Sequence, residues 1–120
     1  RFILNIIKGI KEACGEDFPV IVRLTVDECY EKIGEKGKGY TLDEGVEIAR
    51  RLEKAGIDAI DVSCAGYDTF NYWLEPVSFE PGWRKYMAKA VKDAVSIPVI
   101  AANLIRSPEQ APLHLLPQLL

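Results

Sequence analysis

The sequence is poor in the residues that most often carry chemistry. It has one histidine, His114, set in a proline-interrupted tail where it supports no catalytic role. Its three cysteines, Cys14, Cys29 and Cys64, show no CxxC or metal-ligand spacing and are odd in number. That speaks against a disulfide framework and for a reduced, cytoplasmic setting. Basic residues are not in excess, with 15 Lys and Arg against 18 Asp and Glu, so nucleic acid and anionic membranes are poor candidate partners. No apolar run approaches the roughly 20 residues of a membrane span. The opening Arg1-Phe2-Ile3-Leu4 leads into a helical pattern rather than a signal peptide. Because residue 1 is Arg, the expectation is that the chain was cut, processed or excerpted. No strand is followed by a GxGxxG turn, and the glycine-rich stretch from Gly34 to Thr41 fails the P-loop pattern because Tyr40 stands where Lys is needed. That stretch reads as a solvated loop.

What is present, 120 residues at 48% hydrophobic content, is the composition of a single globular domain. The chain is organised around Pro19-Val20-Ile21-Val22-Arg23-Leu24-Thr25, a β-branched run that predicts a buried parallel strand. Alternation puts Val20, Val22 and Leu24 on one face, for helices, and Ile21, Arg23 and Thr25 on the other. Before it, Ile3, Ile6, Ile7, Ile10 and Cys14 fall at helical spacing, with Gly15 as the stop. After it comes a polar loop from Asp27 to Tyr40. Thr41-Leu42-Asp43-Glu44 then forms a capping box for a helix burying Leu42, Val46, Ala49 and Leu52 and ending at Gly56. A second strand is predicted from Ile57 to Cys64, an aromatic-rich loop from Ala65 to Pro81, and a third helix from Gly82 to Ala94 that buries Trp83, Met87, Ala90, Val91 and Ala94. A third strand runs from Ile97 to Ala102, and Ser107-Pro108-Glu109-Gln110 caps a further helix.

The strands begin near residues 19, 58 and 97, about 39 apart, each preceded by a helix. A helix-strand repeat of this kind calls for a parallel sheet, either open and doubly wound or closed as a (β/α) barrel. The barrel is favoured, because polar residues recur at the carboxyl ends of the strands: Arg23 and Thr25, Asp61 and Ser63, Asn103. A full (β/α)8 barrel takes roughly 250 residues, so three units amount to a segment, or to a half-barrel that associates with copies of itself. The expected division is a partial barrel over 1–111 and an atypical tail over 112–120, whose prolines suggest a truncated or altered reading frame.

Several residues are candidates for a site. Arg23 reads either as a guanidinium at the barrel mouth that holds an anionic or electron-rich group, or as the partner of Asp61 in an internal ion pair. The backbone at Ala101, Ala102 and Asn103 reads as a phosphate-binding turn or as ordinary tight packing. Tyr67, Phe70, Tyr72 and Trp73 would wall an apolar pocket or form a satellite core under the loop.

Taken together these pieces resemble the flavin-dependent old yellow enzyme family, the NADH:flavin oxidoreductases. Arg1-Phe2, Gly15 and Val22-Arg23-Leu24-Thr25 are similar to one family segment, and Ala55-Gly56-Ile57-Asp58 with Asp61-Val62-Ser63 to the next. Ile97-Pro98-Val99-Ile100-Ala101-Ala102-Asn103, Ile105 and Ser107-Pro108-Glu109-Gln110-Ala111 resemble the strand and turn that follow. The resemblance covers Arg1 to Ala111 and corresponds to the fifth to seventh barrel strands. It implies FMN as cofactor and NAD(P)H as reductant, with hydride delivered to the activated C=C bond of a small unsaturated substrate. It further implies Arg23 at the pyrimidine edge of FMN, Ala102 and Asn103 on its phosphate side, and Tyr67 on the substrate side. Asn103 resembles the 2,4-dienoyl-CoA reductase and 2-enoate reductase branch. The family's substrate-orienting His/His or His/Asn pair, its early flavin-binding strands, its last phosphate-binding strand and its iron-sulfur cysteines have no counterpart in this sequence, so no catalytic residue is assigned, and with over half a barrel absent the chain alone is expected to have little or no activity. A dihydroorotate dehydrogenase or dihydrouridine synthase type of barrel would be favoured by a strand lysine, and none is found. The reading from another class is a non-catalytic, self-associating half-barrel.

Overall fold

In the computed structural model, which describes residues 1–102 and 104–110, three parallel strands lie in the order β1-β2-β3 with helices between them. The elements run α1 (Phe2–Cys14), β1 (Ile21–Thr25), α2 (Leu42–Lys54), β2 (Ala59–Ser63), α3 (Phe70–Trp73), α4 (Lys85–Ala94) and β3 (Val99–Ala101). This is the repeat the sequence predicts, with shorter strands. Only residues with a hydrogen-bonded neighbour count as strand, and β3 meets β2 over Ile60↔Val99, Asp61↔Ile100 and Val62↔Ala101.

One face of the sheet is a closed core. Val22, Ile60 and Val62 pack with Ile7 of α1, Ala49 and Leu52 of α2, and Met87 and Val91 of α4 in a single buried cluster. Each helix contributes an apolar stripe, which is the usual way a sheet face is covered. The opposite face is open among the described residues. Ile21 is 58% exposed and Ile100 44% exposed, and parallel register sets Arg23 beside Asp61 in the same row.

Three details depart from the sequence reading. In α1 the buried residues are Ile7 and Lys11, while Ile3, Ile6 and Cys14 are exposed. A stripe of apolar residues does not reveal which edge faces inward, and the long stem of Lys11 buries better than its type suggests. The third long helix begins at Lys85 rather than Gly82, because Gly82 takes φ +69 and breaks the turn before it. The aromatic loop is not irregular throughout: Tyr67–Thr69 and Phe70–Trp73 are short helical turns.

The start of α2 is as predicted: the Glu44 carboxylate accepts the Thr41 N–H at 2.9 Å in a capping box. One turn in, Gly45 sits against the chain leaving β1. A Cβ there would lie 1.9 Å from the Val26 carbonyl oxygen, so the close approach requires glycine. Among the described residues no helix is long and apolar enough to cross a membrane. The predicted tail from Pro112 lies outside the described residues.

Candidate functional site

The carboxyl ends of β1 and β2 open into a cleft of about 320 Å³. Arg23 and Thr25 reach it from β1, Ser63 from β2, and Gly66, Tyr67 and Trp73 from the loop that follows. The two strands pair in register, Arg23↔Asp61 and Thr25↔Ser63, so alternation delivers all four side chains to one face.

Arg23 meets Asp61 in a single contact, Nη1 to Oδ2 at 3.3 Å. The Arg23 side chain remains 61% exposed, whereas that of Asp61 is 22% exposed. The second Asp61 oxygen, Oδ1, is buried without a hydrogen-bond partner among the described residues. The ion pair of the second reading is present, and the guanidinium also borders the cleft. An orphaned buried acceptor is costly and calls for a donor.

The aromatic residues divide. Tyr67, 84% exposed, sets its ring edge-on to Trp73 with centroids 5.2 Å apart, and both border the cleft. Tyr72 instead packs with Phe79 and Trp83 as a satellite core. The Lys32 ammonium lies 5.9 Å from the Tyr72 ring, 5.8 Å from Trp83 and 5.7 Å from Tyr86, which ties the Asp27-to-Tyr40 loop to that core. Tyr30 adds a second tie, its hydroxyl donating to Asp68 at 2.8 Å. The aromatic loop thus supplies both a wall and a core, from different members.

Ala102 does not share the Arg23 cleft. It borders a separate, water-sized hollow of about 10 Å³ with Arg84 and Lys85. Asn103 lies outside the described residues. Among the described residues no group of His, Cys, Asp and Glu could hold a metal ion.

Sequence reasoning missed a buried polar cluster behind the cleft. Arg84, 5% exposed, donates from Nη1 to Cys64 Sγ at 3.0 Å, and its Nε lies 3.0 Å from Glu75 Oε1. The Cys29 thiol, nearby, donates to the Asp27 carbonyl at 3.7 Å. The Cys29 side chain, then the Arg84 guanidinium, draw the Cys64 thiol down from its ordinary 9.0 to about 7 against the opposing pull of burial. Cys29 is pushed up, by Cys64 and by burial. The available signal was a lone arginine inside an apolar, aromatic stretch, Trp83-Arg84 before Met87. Its partners, 20 residues upstream at Cys64 and at Glu75, become neighbours only in three dimensions.

No protein-family profile matches the chain. Individual proteins do. An NADH oxidase from Thermoanaerobacter brockii is 47% identical over 111 residues, which is 92% of this chain and 16% of that protein. A cinnamate reductase from Clostridium sporogenes is 32% identical across 91% of the chain and 18% of its own length. A metal reductase from Desulforamulus reducens is 33% identical across 92% of the chain and 15% of its length. The chain thus spans between 15% and 18% of the length of these relatives. Over the matched segment, with its parallel sheet and a cationic cleft at the strand ends, the chain belongs to the old yellow enzyme family of NADH:flavin oxidoreductases.

Proposed function

We propose that the chain is a segment of the (β/α)8 barrel of an NAD(P)H-dependent oxidoreductase, and that its cleft is one side of an FMN site. The observation that carries this reading is the Arg23–Asp61 pair. The guanidinium, with most of its surface exposed, borders the cleft and is held by Asp61, whose Oδ1 is buried without a partner among the described residues. An exposed guanidinium suits a ring edge that offers acceptors, as the pyrimidine of a flavin does. When bound, FMN supplies the hydride chemistry, from NAD(P)H to the activated C=C bond of an enoate, enone or dienoyl thioester.

The chain's own residues position and tune. Arg23 places positive charge where a reduced ring would carry negative charge, which favours the reduced state. Asp61 orients Arg23 through their shared contact. Thr25 and Ser63 add hydroxyls to the cleft, and Tyr67 and Trp73 give it an apolar wall on the substrate side. Ala102, with Asn103, would approach the phosphate end, where small side chains let a ligand reach the backbone. The open sheet face around Ile21 and Ile100 is the surface the remaining strands of a barrel would cover. Cysteine usage supports a reducing, cytoplasmic setting.

The test is a chimera in which residues 1–111 replace the matching segment of the Thermoanaerobacter brockii NADH oxidase. The chimera is mixed with FMN, desalted and followed by absorbance while NADH is added. A flavin spectrum that co-elutes with the protein and bleaches with NADH is the expected result. A folded chimera that elutes colourless would overturn the reading.

A further inference from the structure

The turn that carries Tyr67 to the cleft is held from behind. Gly66 and Thr69 bond to each other in both directions: the Gly66 N–H donates to Thr69 Oγ1 at 3.0 Å, and the Thr69 N–H donates to the Gly66 carbonyl at 3.1 Å. A threonine hydroxyl that closes a turn on its own backbone fixes the residues between, which are Tyr67 and Asp68. Thr69, 3% exposed, donates its hydroxyl proton to the Glu28 carbonyl at 2.9 Å. Glu28 belongs to loop 27–40, none of whose residues borders the cleft. Two further ties join the same segments. The Asp27 carbonyl accepts the Ala65 N–H at 2.7 Å, where Ala65 is held at φ +62, a conformation non-glycine residues adopt only when their surroundings impose it. Asp68 accepts the Tyr30 hydroxyl at 2.8 Å and lies 3.6 Å from the Lys38 ammonium. The helix that bears Trp73 starts directly after Thr69.

We propose that Thr69 is a positioning residue for the substrate wall: through its hydroxyl, loop 27–40 sets where Tyr67 and Trp73 stand, and so how well an unsaturated substrate fits. The proposal rests on reading the cleft as one side of a flavin site, although the contacts that carry it lie behind the wall. The Tyr67 ring, 84% exposed and edge-on to Trp73, draws its placement from the backbone turn beneath it. Thr69 Oγ1 is at once the acceptor that closes that turn and the donor that fastens it to the loop. Valine, of nearly the same volume, would leave both the Gly66 N–H and the Glu28 carbonyl without this partner. The tie through Asp68, whose side chain is 61% exposed, stands in solvent and is the weaker of the two. A supporting residue of this kind touches no substrate and acts by holding the residues that do.

The sequence has 2 tryptophans, so the 120-residue chain is labelled with 5-fluorotryptophan and its fluorine resonances are assigned with Trp83→Phe. Tyr67→Leu then defines where the Trp73 resonance lies once the neighbouring ring is gone. Thr69→Val should move the Trp73 resonance toward that position and leave the Trp83 resonance in place, and Thr69→Ser, which keeps the hydroxyl, should restore it. Because Thr69→Val can unfold the chain, which would move both resonances, Tyr30→Phe is measured beside it. That variant removes one exposed hydroxyl and should shift Trp73 in the same direction by less. In the chimera, Thr69→Val should raise the KM for 2-cyclohexen-1-one by about threefold or more while the FMN dissociation constant stays unchanged. A colourless chimera would sink the flavin reading, and the fluorine resonances would still decide this proposal. A Trp73 resonance unmoved in both variants, or a KM unmoved by Thr69→Val, would overturn it.

Discussion

Two cation–carboxylate pairs bracket the sheet, and they are treated in opposite ways. At the amino end, Lys11 is 9% exposed and spends its donors on the Glu16 carbonyl, the Phe18 carbonyl and Asp58, each at 2.9 Å. Asp58 also accepts the Val20 N–H at 2.7 Å. Nearby, Glu53 accepts the Ser96 N–H and hydroxyl at 2.7 and 2.6 Å and the Ile97 N–H at 3.2 Å, which pins the start of β3. At the carboxyl end, Arg23 meets Asp61 at 3.3 Å and stays 61% exposed, and among the described residues Asp61 keeps an unpartnered oxygen. One end is closed by its own residues, and the other leaves a guanidinium exposed beside the cleft. In strand-helix barrels stability resides at the amino face and ligand binding at the carboxyl face, and the sealed amino end and open carboxyl end of this segment are what the proposed barrel reading expects.

The largest effect should come at the closed end. Lys11→Met leaves two backbone carbonyls and Asp58 without their donor, and should cost about 3 kcal/mol, read from the urea midpoint. A cost near zero would mean the amino end is no better sealed than the carboxyl end. The acid limb of stability sharpens the same point. Asp58 is held below its ordinary 3.8, first by the Val20 N–H and then by Lys11. Its contribution is therefore complete above 3.8 and is lost as pH falls through the lower folded value. Lys11→Met should flatten that limb, in urea melts from neutral to acid pH. Arg23→Met should cost under about 1 kcal/mol, since the pair is exposed and solvent-screened. A loss equal to that of Lys11→Met would make Arg23 a structural residue. The smallest effect is expected for Tyr67→Ala, within about 0.5 kcal/mol by the same melts, because its ring stands in solvent against Trp73 alone.

Much of this was legible in the sequence where a rule depends on neighbours along the chain. The β-branched runs around Val22, Ile60 and Val99 announce strands, their two-residue period assigns Val22 and Arg23 to opposite faces, and Thr41 with Glu44 marks a helix start. Arg23, Asp61, Ser63 and Tyr67 could be placed at one end of the sheet by the same logic. What stayed hidden depends on contacts across the fold. Lys11 looks like a surface lysine in a helix until Asp58, 47 residues later, is folded beneath it. Gly45 looks like a poor helix residue until Val26 is seen against it. Tyr67 and Tyr72, five apart, look like members of one cluster, yet the turn between them sends the first to the cleft and the second to the core. The buried thiols were visible only as an odd count of cysteines without spacing.

If the carboxyl end is kept open for a flavin, FMN affinity should depend on Arg23 while stability should not. In the chimera carrying residues 1–111, the FMN dissociation constant and the urea midpoint are measured for Arg23 and for Arg23→Met. The account predicts that affinity falls about tenfold, equivalent to about 1.4 kcal/mol, while the midpoint hardly moves. Unchanged FMN affinity with a midpoint lowered as far as Lys11→Met lowers it would contradict the account and make Arg23 part of the scaffold.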